Sequence, residues 1–113
     1  MTFDINDKTA IITCEGSDSI GRPFLDEIMF NYKSFSSLNI IVDLTPIKSV
    51  IFKRINDFTK LASRHKEQSD KSFVIVSGPI SLKHLPDGLN VVPTLHEALD
   101  TIEIEEIERD LGF

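Results

Sequence analysis

The run Asn39-Ile40-Ile41-Val42-Asp43-Leu44 constrains this chain more than any other stretch. It is nearly all apolar and rich in β-branched residues, which predicts a central strand covered on at least one face. A short turn, Thr45-Pro46-Ile47, follows it. Ile51, Ile55, Phe58 and Ala62, flanked by Phe52 and Leu61, then repeat with helical spacing to about Glu67. A buried strand that runs through a tight turn into a helix is the building unit of α/β proteins. In such proteins the strand-to-helix junction is where ligands and partners are usually placed.

The flanking segments extend the same pattern. Phe3-Asp4-Ile5, the turn residues Asn6-Asp7-Lys8 and the run Thr9–Cys14 predict a β-hairpin, because Asn and Asp tolerate the positive φ of a tight turn. Glu15–Ser19 is a polar loop. Pro23 suits a first helical turn, and apolar residues at 24, 25, 28, 29, 32 and 35 predict an amphipathic helix over 23–36. Gln68–Lys71 breaks the second helix. Phe73–Val76 is a second buried strand, residues 80–85 allow one short helical turn, and Leu89–Val92 is a last short strand. Thr94 with Glu97 forms a capping-box pattern at the start of a final helix. Leu95, Leu99 and Ile102 line one face of it, and Ile104, Ile107 and Leu111 continue with a shifted phase.

The expected fold is therefore α/β, a mixed sheet with an N-terminal hairpin, in the order β-β-α-β-α-β-(α)-β-α. Its 113 residues make one domain of ordinary composition. We read residues 1–102 as the domain and 103–113 as an acidic helical extension. Charge is placed unevenly. Residues 94–113 hold seven acidic side chains against Arg109 alone, whereas residues 1–93 hold 11 basic and 11 acidic ones. An acidic tail repels nucleic acid and anionic membranes, so neither is expected as a partner. No signal-like or membrane-spanning run is present, and a cytoplasmic location is expected.

With these elements in order, residues 38–102 resemble a STAS domain, the fold of the anti-sigma-factor antagonists of bacterial signalling. Three stretches carry the resemblance. Ile40-Ile41-Val42-Asp43-Leu44 is similar to that family's central strand, which ends in Asp-Leu. The helix 51–67 and strand 73–76 follow at the expected spacing. Val91-Val92-Pro93-Thr94-Leu95-His96-Glu97-Ala98-Leu99 looks like the closing strand and the Ser/Thr-Leu-x-Glu-Ala start of the last helix. The resemblance implies a non-enzymatic protein-binding module whose partner is a kinase-like or sigma-pathway protein.

The chain departs from that family at its switch. There, an Asp-Ser-Ser-Gly-like signature at the start of the helix after the Asp-Leu strand carries the phosphorylated Ser. The corresponding positions here are Ile51, Phe52, Lys53 and Arg54, none with a hydroxyl. Ser49 is a hydroxyl residue nearby, several positions out of register, and is the remaining candidate for phosphorylation. A phosphate would bring nearly two negative charges to the helix start. This chain instead offers Lys48, Lys53 and Arg54 beside Phe52. The candidate partner-binding residues are thus Pro46, Lys48, Ser49, Phe52, Lys53 and Arg54 at the junction, with Ile104, Ile107 and Leu111 on the acidic helix. That helix can fold back over its own sheet, pair with a second copy in a homodimer, or enter a basic-rimmed groove of another protein. Lys60, Arg64 and Lys66 on the second helix are complements to it in charge.

Catalytic and metal chemistry find little support. His65, His84 and His96 have no metal-ligand spacing, and neither a Gly-x-Ser-x-Gly elbow nor a Gly-rich phosphate loop occurs. Cys14 lies in a strand-like alternation and reads as a small buried hydrophobe. The closing Ile107–Phe113 is similar to the end of short bacterial chains sometimes labelled ribonuclease Z, but that nuclease holds two metal ions on many His and Asp ligands, which this chain lacks. No cofactor or metal is expected. The alternatives are a small enzyme or nucleotide-binding variant of the same fold, and a homodimeric scaffold.

Overall fold

A computed structural model describes residues 1–15, 22–47, 55–78 and 88–112. Five strands form one mixed sheet: β1 (Thr2–Asn6), β2 (Thr9–Thr13), β3 (Asn39–Asp43), β4 (Phe73–Val76) and β5 (Asn90–Val92). They lie side by side in chain order. β1 and β2 are antiparallel, and every later pairing is parallel. Among the described residues three α-helices cover the sheet: α1 (Arg22–Phe30), α2 (Thr59–Ser69) and α3 (Leu95–Asp110). The short helical turn expected at 80–85 lies outside the described residues.

The hairpin forms as its sequence predicts. Asn6 pairs with Thr9 across a two-residue turn, and Asp7 takes φ +56°, a backbone state that Asp tolerates better than most residues. Alternation along the strands then sorts the core into two layers. Ala10, Ile12, Ile40, Val42, Phe73 and Ile75 face α1 and α2, where they meet Phe24, Ile28, Ile55, Phe58, Leu61 and Ala62. Ile41, Val74 and Val76 face the other way and meet Ala98 and Ile102 of α3. β3 and β4 are covered on both faces, which is why their sequences are continuous apolar runs rather than alternating ones. Cys14 is fully buried in the first layer.

All three helices differ from the sequence-based expectation. The helix predicted over 23–36 stops at Phe30 and passes into a 3₁₀ turn at Tyr32–Ser34. Asn31 Nδ2 donates to the Glu27 carbonyl at 2.8 Å, satisfying a helix-end acceptor. The new direction buries Phe35 beside Phe3 and Tyr32. The helix expected over 51–67 is interrupted by a turn at Asp57-Phe58, so α2 begins at Thr59; it runs to Ser69, two residues past the expected end, and closes where Asp70 takes the left-handed conformation and donates its N–H to the Lys66 carbonyl.

α3 begins as expected, with Glu97 N–H donating to Thr94 Oγ1 at 3.1 Å. Its rotation is not as expected. Leu95 and Leu99 stand outward, and Ala98 and Ile102 take the sheet side. The methyl side chain of Ala98 lets the helix lie close to β3 and β4. The helix is continuous through Asp110, so the boundary drawn at residue 103 falls inside it.

Candidate interaction site

The strand-to-helix junction lies at the carboxyl ends of the parallel strands. Asp43 Oδ1 accepts from Thr45 N–H at 2.9 Å and from Thr45 Oγ1 at 2.7 Å, closing a side-chain turn that ends β3. Leu44 N–H donates to Val76 O and Ser77 N–H to Val92 O, so three neighbouring strands end on one level. Pro46 is exposed there, and Ile47 is half-buried against the first core layer. Lys48, Ser49, Phe52, Lys53 and Arg54, the other candidates at this junction, lie outside the described residues.

The candidates on α3 are fully described. Ile104, Ile107 and Leu111 are 57%, 53% and 66% exposed, against 3% for Ile102. Their spacing of three and four residues puts them in one line on the helix face turned away from the sheet. The helix does fold back over its own sheet, one of the arrangements foreseen, but not by this stripe. At the same level its inner face is polar. Glu105 Oε2 accepts from Asn90 Nδ2 at 3.1 Å. Arg109 donates to Ser72 Oγ at 3.1 Å and to Asn39 Oδ1 at 3.3 Å. Asn39 Oδ1 also accepts the Ser72 N–H at 2.9 Å. Asn39 is fully buried, and its Nδ2 has no hydrogen-bond partner among the described residues. The second half of α3 is therefore held by hydrogen bonds to the sheet's amino-terminal edge, while its apolar residues face out.

Besides a concavity of about 210 Å³ between the hairpin and α3, bordered by Lys8, Ile11, Leu99 and Ile102 among others, two more bear on the charged residues named above. One, of about 220 Å³, lies beside the anchored end of α3 and is lined by Lys66, Asp70, Lys71, Glu105, Glu108 and Arg109. Mixed charge in an open dish gives it no selectivity for one ion. The other, of about 420 Å³, is a groove between α1 and α2 on the opposite side of the sheet. Leu25, Met29 and Leu61 give it apolar walls. Lys60 and Arg64 stand on one rim, and Asp26 and Asp57 are the acidic residues that border it. Lys60 and Arg64 thus lie across the sheet from the acidic helix, where they cannot reach it within one chain.

His65 was treated in the sequence only as a possible metal ligand. It is a fully buried structural group. Its Nε2 bonds the Leu38 carbonyl at 2.8 Å, so Nε2 carries the proton, and Nδ1 accepts from Tyr32 O–H at 2.7 Å. Burial lowers its pKa below the ordinary 6.5, and the bond to Leu38 opposes that only in part. A signal for this was present, since His65 follows Leu61 by four residues on the buried stripe of α2. His96 sits on the surface 3.4 Å from Asp100, and His84 is outside the described residues. Among the described residues no cluster of three or more His, Cys, Asp or Glu could hold a metal ion, and no helix is long and apolar enough to cross a membrane.

Comparison with protein-family models finds no match for the chain, and no curated protein matches it.

Proposed function

We propose that the chain is a STAS-like, non-enzymatic interaction module, related in role to the anti-sigma-factor antagonists of bacteria but without their phosphoacceptor. The observation that carries this reading is the apolar line Ile104-Ile107-Leu111 facing solvent on a helix whose other face is already anchored. A solvent-facing apolar stripe rimmed by acids is a surface shaped for another protein. The order of hairpin, central strand ending Asp43-Leu44, and closing helix capped by Thr94 supports the family reading. Its partner is a protein, either a kinase-like or sigma-pathway protein or a second copy, and binding needs no cofactor. The junction at 46–54 is the second contact surface, with Lys48, Phe52, Lys53 and Arg54 in place of a switchable Ser. The setting is the cytoplasm.

Affinity capture from the native cell tests this. The wild-type chain should retain a specific protein in stoichiometric amount, and I104S/I107S should lose it while keeping its circular dichroism. Retention of the same proteins by both chains would refute the role of the stripe. Because the surface lacks a phosphoacceptor in register, Ser49→Glu should bind that protein as wild type does. A change of tenfold or more, on the order of 1.4 kcal/mol, would instead make Ser49 a switch.

A further inference from the structure

We propose that the half of α3 beyond Ile102 is a strap, which unwinds and releases as a unit while the five-stranded sheet stays folded. Closing of the strap lines up Ile104, Ile107 and Leu111 for a partner. This rests on the reading of the chain as an interaction module and supplies the regulation of its contact surface. Packing is the first argument. The buried residues of α3 are Ala98 and Ile102. Every apolar side chain from Ile104 to Leu111 is more than half exposed. Hydrophobic burial therefore secures the start of the helix and ends at Ile102.

What holds the remainder is polar. Asn90 Nδ2 donates to Glu105 Oε2, and Arg109 donates to Ser72 Oγ and Asn39 Oδ1. Each of these bonds is exchanged for one to water when it breaks, so it contributes far less than its gross strength. The segment is also weak as a helix. Residues 103–110 hold Glu103, Glu105, Glu106, Glu108 and Asp110 against Arg109 alone. Glu106 and Asp110 stand four apart, and Glu103 and Glu106 three apart, spacings at which like charges repel along a helix face. Acidic side chains in the last turn also oppose the helix dipole. So short a helix has no stability of its own, and once its latch breaks it unwinds rather than swinging away whole.

The closed state is itself incompletely satisfied. Asn39 Nδ2, fully buried, finds no acceptor among the described residues, and Arg109 sits on the oxygen of the same amide. Release of Arg109 brings water to that amide, which offsets part of what opening costs. The opening stops at Ile102, because Ala98 and Ile102 pack on Ile41, Val74 and Val76. Unwound, residues 104–111 no longer hold three apolar side chains in line. A partner that grips the line selects the closed strap, and its affinity falls with the closed fraction. Glu105 and Arg109, which face the sheet, thereby set affinity without touching the partner.

Native-state hydrogen exchange of the full chain, read residue by residue by NMR, tests this. Amides from 104 to 111 should share one opening equilibrium, at least about tenfold more frequent than that of the β3 and β4 amides. Ile75→Val thins the core layer on the sheet face away from α3. It should speed exchange in β3 and β4 by about 2- to 10-fold. It should leave 104–111 unchanged, because the open and closed strap lose the same methyl group. R109A should speed 104–111 by about tenfold, and E105A serves in its place should R109A lose its circular dichroism. An Ile75→Val effect of equal size in both sets would mean that the helix end opens only when the whole chain unfolds, which overturns the inference. So would rates that climb steadily toward Leu111 with no shared value, the mark of simple fraying, or an R109A chain unchanged over 104–111. These readouts need no partner, whereas capture by I104S/I107S reports only on the stripe, so the two readings can fail separately.

Discussion

Lowering the pH from 7.5 to 5.5 should weaken the fold through His65. The ring is inaccessible to solvent, donates from Nε2 to Leu38 O and accepts at Nδ1 from Tyr32 O–H. A second proton would have to enter at Nδ1, where the Tyr32 hydrogen already points. The folded chain therefore holds His65 neutral to a lower pH than the unfolded chain does. Above the unfolded value of 6.5 both states are neutral, and the group contributes its full stability. As pH falls below 6.5 the unfolded state gains a proton that the folded state refuses, so stability falls until the folded pKa is reached. The ceiling of this loss is about 1.4 kcal/mol at pH 5.5, one pH unit below the unfolded value. Urea denaturation at pH 7.5, 6.5 and 5.5, on wild type and His65→Leu, measures it. The variant should be less stable at pH 7.5, because Leu38 O and Tyr32 O–H lose a partner, but its stability should vary less with pH. Equal pH dependence in both proteins, or a wild type that gains stability relative to the variant on acidification, would refute the assignment of a neutral ring.

Tyr32→Phe should cost about 1–3 kcal/mol in the same denaturation assay, since it leaves His65 Nδ1 buried without a donor. Ile102→Ala should cost about 2–4 kcal/mol, whereas Ile107→Ser should change stability by no more than about 0.5 kcal/mol; equal losses would mean that the outer stripe is packed. Arg109→Ala should lower stability by about 1.5 kcal/mol and speed amide exchange after Ile102, because Ser72 and Asn39 lose the donor that holds the end of α3. Asp43→Ala should lower the thermal midpoint by the equivalent of about 1 kcal/mol, and Asp43→Asn, which keeps the accepting oxygen, should restore most of it.

The strands were the most legible part of this chain. Phe73–Val76 stands where its apolar run places it, and the hairpin turn falls on Asp7-Lys8 as the Asn/Asp cluster indicates. Short apolar runs bounded by polar breaks carry that information locally. The helices were less legible, because their ends and rotation depend on distant residues. The stripe through Tyr32 and Phe35 fits a longer helix, yet Tyr32 is drawn to His65, 33 residues away, and the chain turns at Asn31. Leu95 and Leu99 are more apolar than Ala98, but Ala98 is the residue small enough to let α3 approach the sheet. At the junction, Asp43 was legible through its Asp-Leu strand end, and its hydrogen bonds to Thr45 were not. The outward stripe on α3 was half legible. The shifted phase of Ile104, Ile107 and Leu111 was visible, but only the anchoring of Arg109 to residues 37 and 70 positions away shows which side is free.

The sheet's strand order also bears on how the chain acquires its structure. Each strand pairs with its predecessor in sequence, so a growing polypeptide can add them one at a time, starting from a local hairpin. No strand has to be inserted between two that are already joined. The hairpin closes a two-residue turn, whereas each parallel pairing closes a crossover of a dozen or more residues and is the slower step. The bond from Arg109 to Asn39 spans 70 residues. Arg109 stands in the last turn of α3, so the amino-terminal ends of β3 and β4 gain this donor only after all five strands have been made.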